Sequence, residues 1–161
     1  MKAFQESVLA LSGGVGGAKL ALGLADAVAQ GQLHVLANTG DDFRHLGLHI
    51  SPDIDTLLYT LSGKSNQVLG WGLAGETWGV MEALEKLQGE TWFRLGDNDL
   101  ATHLWRTAQL AEGVSLLQVT NALARQLGIG THIHPMCEEL VSTTVHSEGR
   151  DLPFQHYFVR E

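Results

Sequence analysis

The chain has 161 residues, 44% of them hydrophobic, and a formal net charge of −8 with its histidines neutral. Such a length and apolar content fit one globular domain with a core over residues 1–161 and exclude a disordered chain. The acidic balance argues against a duplex nucleic-acid binder, which needs a basic face to displace counterions. It leaves room for a nucleotide site, because backbone N–H groups hold phosphate without side-chain charge.

The single cysteine, Cys137, permits no internal disulfide and fits a reducing compartment. Met1 to Ser7 has one lysine and no apolar h-region, and no apolar run approaches the roughly 18 residues of a membrane span. A soluble, cytoplasmic protein without membrane contact is expected.

Val8 to Leu11 is a continuous apolar run that ends in Ser12-Gly13-Gly14, which reads as a buried parallel strand entering a glycine loop. From Gly17 to Ala29 the spacing becomes helical, with Leu20, Leu24 and Val28 four apart. Leu33 to Ala37 is a second strand. A strand–loop–helix–strand opening predicts parallel strands joined by a right-handed crossover. The polar segment Asn38 to His45 then lies at the carboxyl end of the second strand, where open parallel sheets bind ligands.

Ser51-Pro52 opens a helix that runs to Gly63, with serine as N-cap and proline at the first helical position. Further helices are expected over 76–88, 100–112 and 115–127, and strands over 91–95 and 129–133. The runs 141–145 and 154–159 suggest a hairpin around Ser147-Glu148-Gly149-Arg150. The chain stops inside the last of these runs, without a cap or turn. The expectation is therefore an α/β, Rossmann-like parallel sheet with helices on both faces, truncated at its C-terminus as the N-terminal part of a longer chain.

The glycine loop Ser12-Gly13-Gly14-Val15-Gly16-Gly17-Ala18-Lys19 carries the strongest chemical signal. Glycines let amides approach a phosphate, and the following helix points its positive end there. Gly13, Gly14, Gly16, Gly17 and Lys19, with Asn38 across the strand ends, are the candidate phosphate and nucleotide residues. The loop matches neither common fingerprint: a P-loop needs glycine before the lysine, where Ala18 stands, and a dinucleotide loop needs glycine where Lys19 stands. Asn38 also replaces the usual ribose-binding acid, which counts against ordinary NAD binding.

Asp41 and Asp42 are candidate Mg²⁺ ligands, since that ion uses one or two carboxylates plus phosphate oxygens. Asp53 and Asp55 are two apart, about 200° around a helix, so they cannot both face one ligand; spacing does not choose between them. Arg94 follows an expected strand and is placed to meet an anion or a polar ring edge. Asp99, His103 and Arg106 share one helix face, as either a site or a surface ion-pair stripe. His132-x-His134 with Cys137 offers three zinc-type ligands without an evident fourth, so ordinary strand residues are the expectation. Nothing marks Cys137 as a nucleophile.

Taken in order, these segments resemble the 2-phospho-L-lactate transferase family of deazaflavin coenzyme F-420 biosynthesis. The likeness runs through residues 11–20, Asn38-Thr-Gly-Asp-Asp42, Ser51-Pro-Asp-Ile-Asp-Thr56, Leu95-Gly-Asp-Asn-Asp-Leu-Ala-Thr-His103, Pro135-Met136 and Val141-Ser-Thr143. The resemblance implies transfer of a phospholactyl or phosphoenolpyruvyl group from a guanosine-diphosphate-linked donor to the ribityl hydroxyl of the deazaflavin Fo, with release of GMP. It implies a Mg²⁺ cofactor and a homodimer. It also implies that Asp55, the second acid of Ser-Pro-Asp-x-Asp, acts in catalysis and contacts the deazaflavin together with Arg94. Cys137 stands where the family often has serine, and His132 and His134 match no family motif. A related branch of non-catalytic nucleotide or sugar-nucleotide regulators is the alternative; its acidic loop continues Gly-Gly-Ser-Ser, whereas here Phe43-Arg44-His45 follows.

Overall fold

The computed structural model describes residues 4–160. Strands β1 (Val8–Ser12), β2 (Leu33–Ala37) and β5 (His132–Pro135) form one sheet in the order β1-β2-β5. All pairings are parallel, with Val8 opposite Leu33 and Ser12 opposite Ala37, then His34 opposite His132 and Ala37 opposite Pro135. Helix α1 (Gly14–Ala27) supplies the crossover between β1 and β2, as a parallel pair requires.

The core lies on one side of this sheet. Ala10, Val35, Ala37 and Ile133 pack against Ala18 and Ala21 of α1, against Ile54, Leu57 and Leu58 of α2 (Pro52–Leu61), and against Val119 and Leu123 of α5 (Leu116–Gln126). Small residues on α1 let it approach α2 and the sheet closely, which is why a helix of low amphipathicity still buries a face. The α/β class and the parallel sheet are as expected, but the helices of the described residues cover only that one face. On the other, Leu9 and Leu11 are 65% and 71% exposed.

A smaller core forms between hairpin β3 (Phe43–His45) and β4 (Leu48–Ile50) and the helices α3 (Gly79–Lys86) and α4 (Asp97–Ala111). Phe43, Leu48, Ile50, Met81, Leu95 and Leu100 are buried there. The hairpin was not foreseen. Its connection, Leu46-Gly47, has positive φ at both residues (52° and 77°), the conformation of a two-residue hairpin turn. Leucine at the first position hides that turn from a reading that looks for Asn or Asp.

Several other boundaries differ. The strand expected over 91–95 is irregular; Trp92 and Phe93 instead pack their rings against Phe43 and each other. The expected strand over 129–133 starts later, at His132, because Leu127 and Gly128, the latter with positive φ (72°), form the turn that ends α5. The C-terminal hairpin pairs β6 (Thr144–Ser147) with β7 (Arg150–Pro153) through Glu148-Gly149, again with positive φ at both. Its tight turn uses up the strand residues by Pro153, and residues 154–159 belong to helix α6 (Phe154–Arg160) rather than a strand. No helix among the described residues is long and apolar enough to cross a membrane.

Helix starts are fixed by side chains from elsewhere. Asp97 accepts hydrogen bonds from the amides of Gly79 and Val80, at the start of α3 (3.0 and 3.1 Å). Glu76 accepts from the amides of Asn98 and Asp99 in the first turn of α4 (2.9 and 2.8 Å). Ser115 caps α5 as expected, in a reciprocal pair with Gln118. Ser51 does not cap α2 with its side chain; its hydroxyl donates to Asp42 instead (2.7 Å).

Candidate functional site

Helix α1 begins at Gly14, three residues before the expected start at Gly17 and ending at Ala27 rather than Ala29, so only Gly13 links it to β1 and Gly14, Gly16, Gly17 and Lys19 lie within the helix. Gly17 lies against Ser12, and a Cβ there would collide with the Ser12 hydroxyl. The amide of Gly14 donates to Asp53 Oδ1 at 2.7 Å. Asn38 Nδ2 donates to the other Asp53 oxygen at 2.9 Å, while Asn38 Oδ1 accepts from the Gly40 amide at 2.9 Å. A carboxylate of the protein therefore occupies part of the anion position at this helix start, braced by Asn38. Asp53 is the residue that sequence spacing left undecided. The amides of Val15 and Gly16, in the first turn of α1, have no intrahelical partner.

Asp41 lies half-buried beside this arrangement. Burial, then the negative charge of Asp53, pushes its carboxyl above the usual range, and the Asn38 hydrogen bond offsets part of that. Two carboxylates that repel each other at the mouth of a phosphate-type loop are a hard oxygen donor set, which fits Mg²⁺. Asp42 points the other way. It is buried, accepts from His49 Nε2 (3.1 Å) and Ser51 Oγ (2.7 Å), and leaves Oδ1 without a partner among the described residues. Burial raises its pKa against those hydrogen bonds.

Asp55 is on the opposite side of α2 from Asp53, as the helical angle requires. It is clasped by both terminal nitrogens of the fully buried Arg106 of α4, with Nη1 at 3.1 Å from Oδ2. Burial works against the guanidinium charge, yet the Asp55 carboxylate outweighs it and holds the Arg106 pKa above its ordinary value. His103 Nδ1 is 3.7 Å from Asp55, and its Nε2 is 3.3 Å from Asp99. Tyr59 donates its hydroxyl to Asp99 at 2.5 Å. For Asp99, burial alone would raise the pKa; the hydrogen bond and charge of His103, with the Tyr59 hydroxyl, more than reverse this and hold it low. Burial, then the charges of Asp55 and Asp99, raises the Tyr59 phenol far above its usual range. The stripe Asp99, His103, Arg106 is thus an internal network, not a surface one. Asp55, Asp99 and His103 bring ligand atoms within 4.8 Å of one another, but Arg106 already supplies the cation that Asp55 needs.

Two adjoining cavities open beside this network. One, of about 100 Å³, lies between α1 and α2 and is lined by Val15, Lys19, Thr56 and Tyr59 among others. The second, of about 230 Å³, is lined by Trp71, Trp78, Glu76, Arg94, Gly96 and Asp99 among others. Asn66, Trp71 and Gly72 belong to both walls, so the two adjoin at these residues. Arg94 lays its guanidinium over the Trp78 ring, 4.7 Å from the centroid. Asp55 does not line the second cavity; it reaches it through His103 and Asp99. Neither Trp71 nor Trp78 was marked as a site residue from sequence, where Trp78 reads only as an inner-face residue of the helix expected over 76–88. Cys137 donates to Glu139 at 2.9 Å, and that bond raises the thiol pKa, opposite to what a nucleophile requires.

These features bear comparison with known proteins. The family model described as 2-phospho-L-lactate transferase CofD matches residues 8–161. A phosphoenolpyruvate transferase of Kitasatospora aureofaciens is 43% identical over 159 residues, which is 95% of this chain and 50% of that protein. One of the same name from Thermobifida fusca is 40% identical over 95% of this chain and 52% of its own. A 2-phospho-L-lactate transferase of Methanospirillum hungatei is 36% identical over 93% of this chain and 50% of its own. The chain spans about half the length of the curated relatives it matches. With its motifs distributed over nearly the whole match, the chain belongs to the CofD family of 2-phospho-L-lactate transferases.

Proposed function

We propose that this chain forms the acceptor pocket and part of the donor-phosphate site of a transferase in coenzyme F-420 biosynthesis. The group moved is phospholactyl or phosphoenolpyruvyl, the donor its guanosine-diphosphate conjugate, and the acceptor the deazaflavin Fo. The observation that carries this reading is the pair of adjoining cavities: an aromatic, arginine-bearing chamber beside a smaller one lined by Lys19 and by Val15 of the first turn of α1. A flat tricyclic ring suits the Trp71, Trp78 and Arg94 surfaces, and an anionic tail suits Lys19 and the amides of Val15 and Gly16.

In the reaction, the ribityl hydroxyl attacks the phosphorus that carries the small acid. A phosphorus–oxygen bond forms to the acceptor, the bond to the nucleotide breaks, and GMP leaves with the electron pair, while the hydroxyl gives up its proton by way of Asp99 to the departing phosphate or solvent. Such transfers depend on positioning and charge neutralisation more than on covalent help from the protein. Asp99, held ionised at the cavity wall, accepts a hydrogen bond from the hydroxyl. Asp55 acts behind it, fixing His103 and Arg106, and this gives it a positioning role in place of the direct contact inferred from family resemblance. Asp41, with Asp53 beside it, would hold Mg²⁺, which neutralises diphosphate charge when bound. The other expected features, a cytoplasmic homodimer, accompany this reading.

Adding Fo to the protein should perturb the deazaflavin absorbance. Arg94→Ala and Trp78→Ala should each weaken that binding by about 0.5–2 kcal/mol. An unchanged spectrum, or variants that bind Fo as tightly as the unaltered protein, would refute the acceptor pocket. Release of GMP from the guanylated donor, in the presence of Fo and Mg²⁺, tests the transfer itself.

A further inference from the structure

The uncovered face of the sheet holds a cluster that plays no part in the proposed transfer. Side chains alternate along a strand, so His132 and His134 of β5 share a face, and the register His34↔His132 places His34 of β2 on that face beside them. Adjacent strands lie about 4.8 Å apart and alternate residues about 6.6 Å apart, which gathers the three imidazoles into a triangle on a rigid base. The His34 ring lies 4.7 Å from that of His132 and 5.3 Å from that of His134, and the remaining pair is 6.4 Å apart. His34 Nδ1 and His134 Nε2 are already 3.0 Å apart. Two imidazole nitrogens on one tetrahedral Zn²⁺, each about 2.0–2.1 Å from it, sit about 3.3–3.4 Å from each other. Little movement separates the observed pair from a ligating one, whereas the exposed His132, stacked on His34, has to rotate to bring its nitrogen within 4.8 Å of both others.

We propose that His34, His132 and His134 form a binding site for a borderline divalent transition-metal ion of the Zn²⁺ class, with its fourth position open. The sequence pattern pointed only to His132-x-His134 and Cys137; the fold replaces the cysteine, which bonds to Glu139, with a histidine about 100 residues away in the chain. Three neutral imidazoles suit Zn²⁺, Co²⁺ or Ni²⁺ and not the hard Mg²⁺ of the phosphate site. A proton shared between His34 and His134 leaves at least one ring with a lone pair to offer. The site is independent of the transferase reading.

Titrating the metal-free protein with Co²⁺ reads this directly. A single equivalent should produce the visible absorption of a low-coordinate Co²⁺ site, displaced by Zn²⁺ and untouched by excess Mg²⁺. His132 is exposed, so His132→Gln leaves the fold intact; it should weaken Co²⁺ binding by more than about 100-fold, beyond the roughly 10–100-fold lost with a residue that only supports a ligand. Imidazole nitrogen NMR of the unaltered protein provides a second readout: Zn²⁺ should shift the resonances of all three histidines together and suppress their titration. No absorption band, a band that survives His132→Gln unchanged, or nitrogen shifts confined to other histidines would overturn the proposal.

Discussion

Asp53 and Asp55 are separated by a single residue and serve opposite ends of the site. Asp53 receives the Gly14 amide and the Asn38 side chain; Asp55 receives Arg106. Helical geometry predicts the divergence, but not which acid meets which partner. Asp99 shows how a neighbouring network fixes protonation. Its folded pKa is held below the ordinary carboxylate value, so its contribution to stability is complete above that value and disappears as pH falls through the folded pKa. Tyr59→Phe removes one of the donors responsible. It should cost about 1.5–3 kcal/mol near neutral pH, as for a hydrogen bond to a charged group. It should also move the acid limb of the stability profile to higher pH. Urea unfolding over a pH series measures both; a pure loss of stability with an unmoved acid limb would mean that Tyr59 does not tune Asp99.

At the scale of elements, α2 and α4 are joined by the Asp55–Arg106 pair, buried between two hydrophobic cores. Breaking such a pair strands an uncompensated charge. Arg106→Met should therefore cost about 3–5 kcal/mol, whereas Arg106→Met with Asp55→Leu should recover most of it. Guanidinium denaturation of the two variants decides; if the double variant is as unstable as the single one, the pair is not the source of the loss. The elements also show where sequence reading works. Strands β1 and β2, the body of α1 and the core of α2 follow from apolar periodicity and glycine punctuation, whereas the start of α1 was hidden because its first turn is rich in glycine. The β3–β4 hairpin was missed because Leu46 adopts a left-handed conformation that leucine rarely takes. Residues 91–95 were read as a strand because Trp92 and Phe93 favour sheets, but their rings pack into the second core without strand pairing. Residues 154–159 carry an apolar run that serves a strand or a helix equally well, and the hairpin turn before them settled the matter.

Across the whole molecule, the glycine loop, the acidic loop and α2 meet at the carboxyl ends of β1 and β2, where parallel sheets concentrate ligand sites. A ligand that binds the folded state stabilises it by mass action, by about 2.7 kcal/mol at a hundredfold excess over its Kd. GDP with Mg²⁺ should raise the melting temperature more than GDP alone, and Asp41→Asn should erase the Mg²⁺ increment. An increment that persists in that variant would move the cation elsewhere.

Local chain chemistry was sufficient for the fold class, the glycine-rich passage from β1 into α1 and the family resemblance, because glycine placement, apolar period and short motifs act over a few residues. Packing alone determined the rest. It turned Asp42 inward and Asp41 outward, set Asp53 in the anion position of α1, enclosed Arg106 behind Asp55 and brought His34 to His134. Each of these joins residues distant in the chain, and contacts of that kind depend on sheet register and helix rotation, which no local pattern encodes.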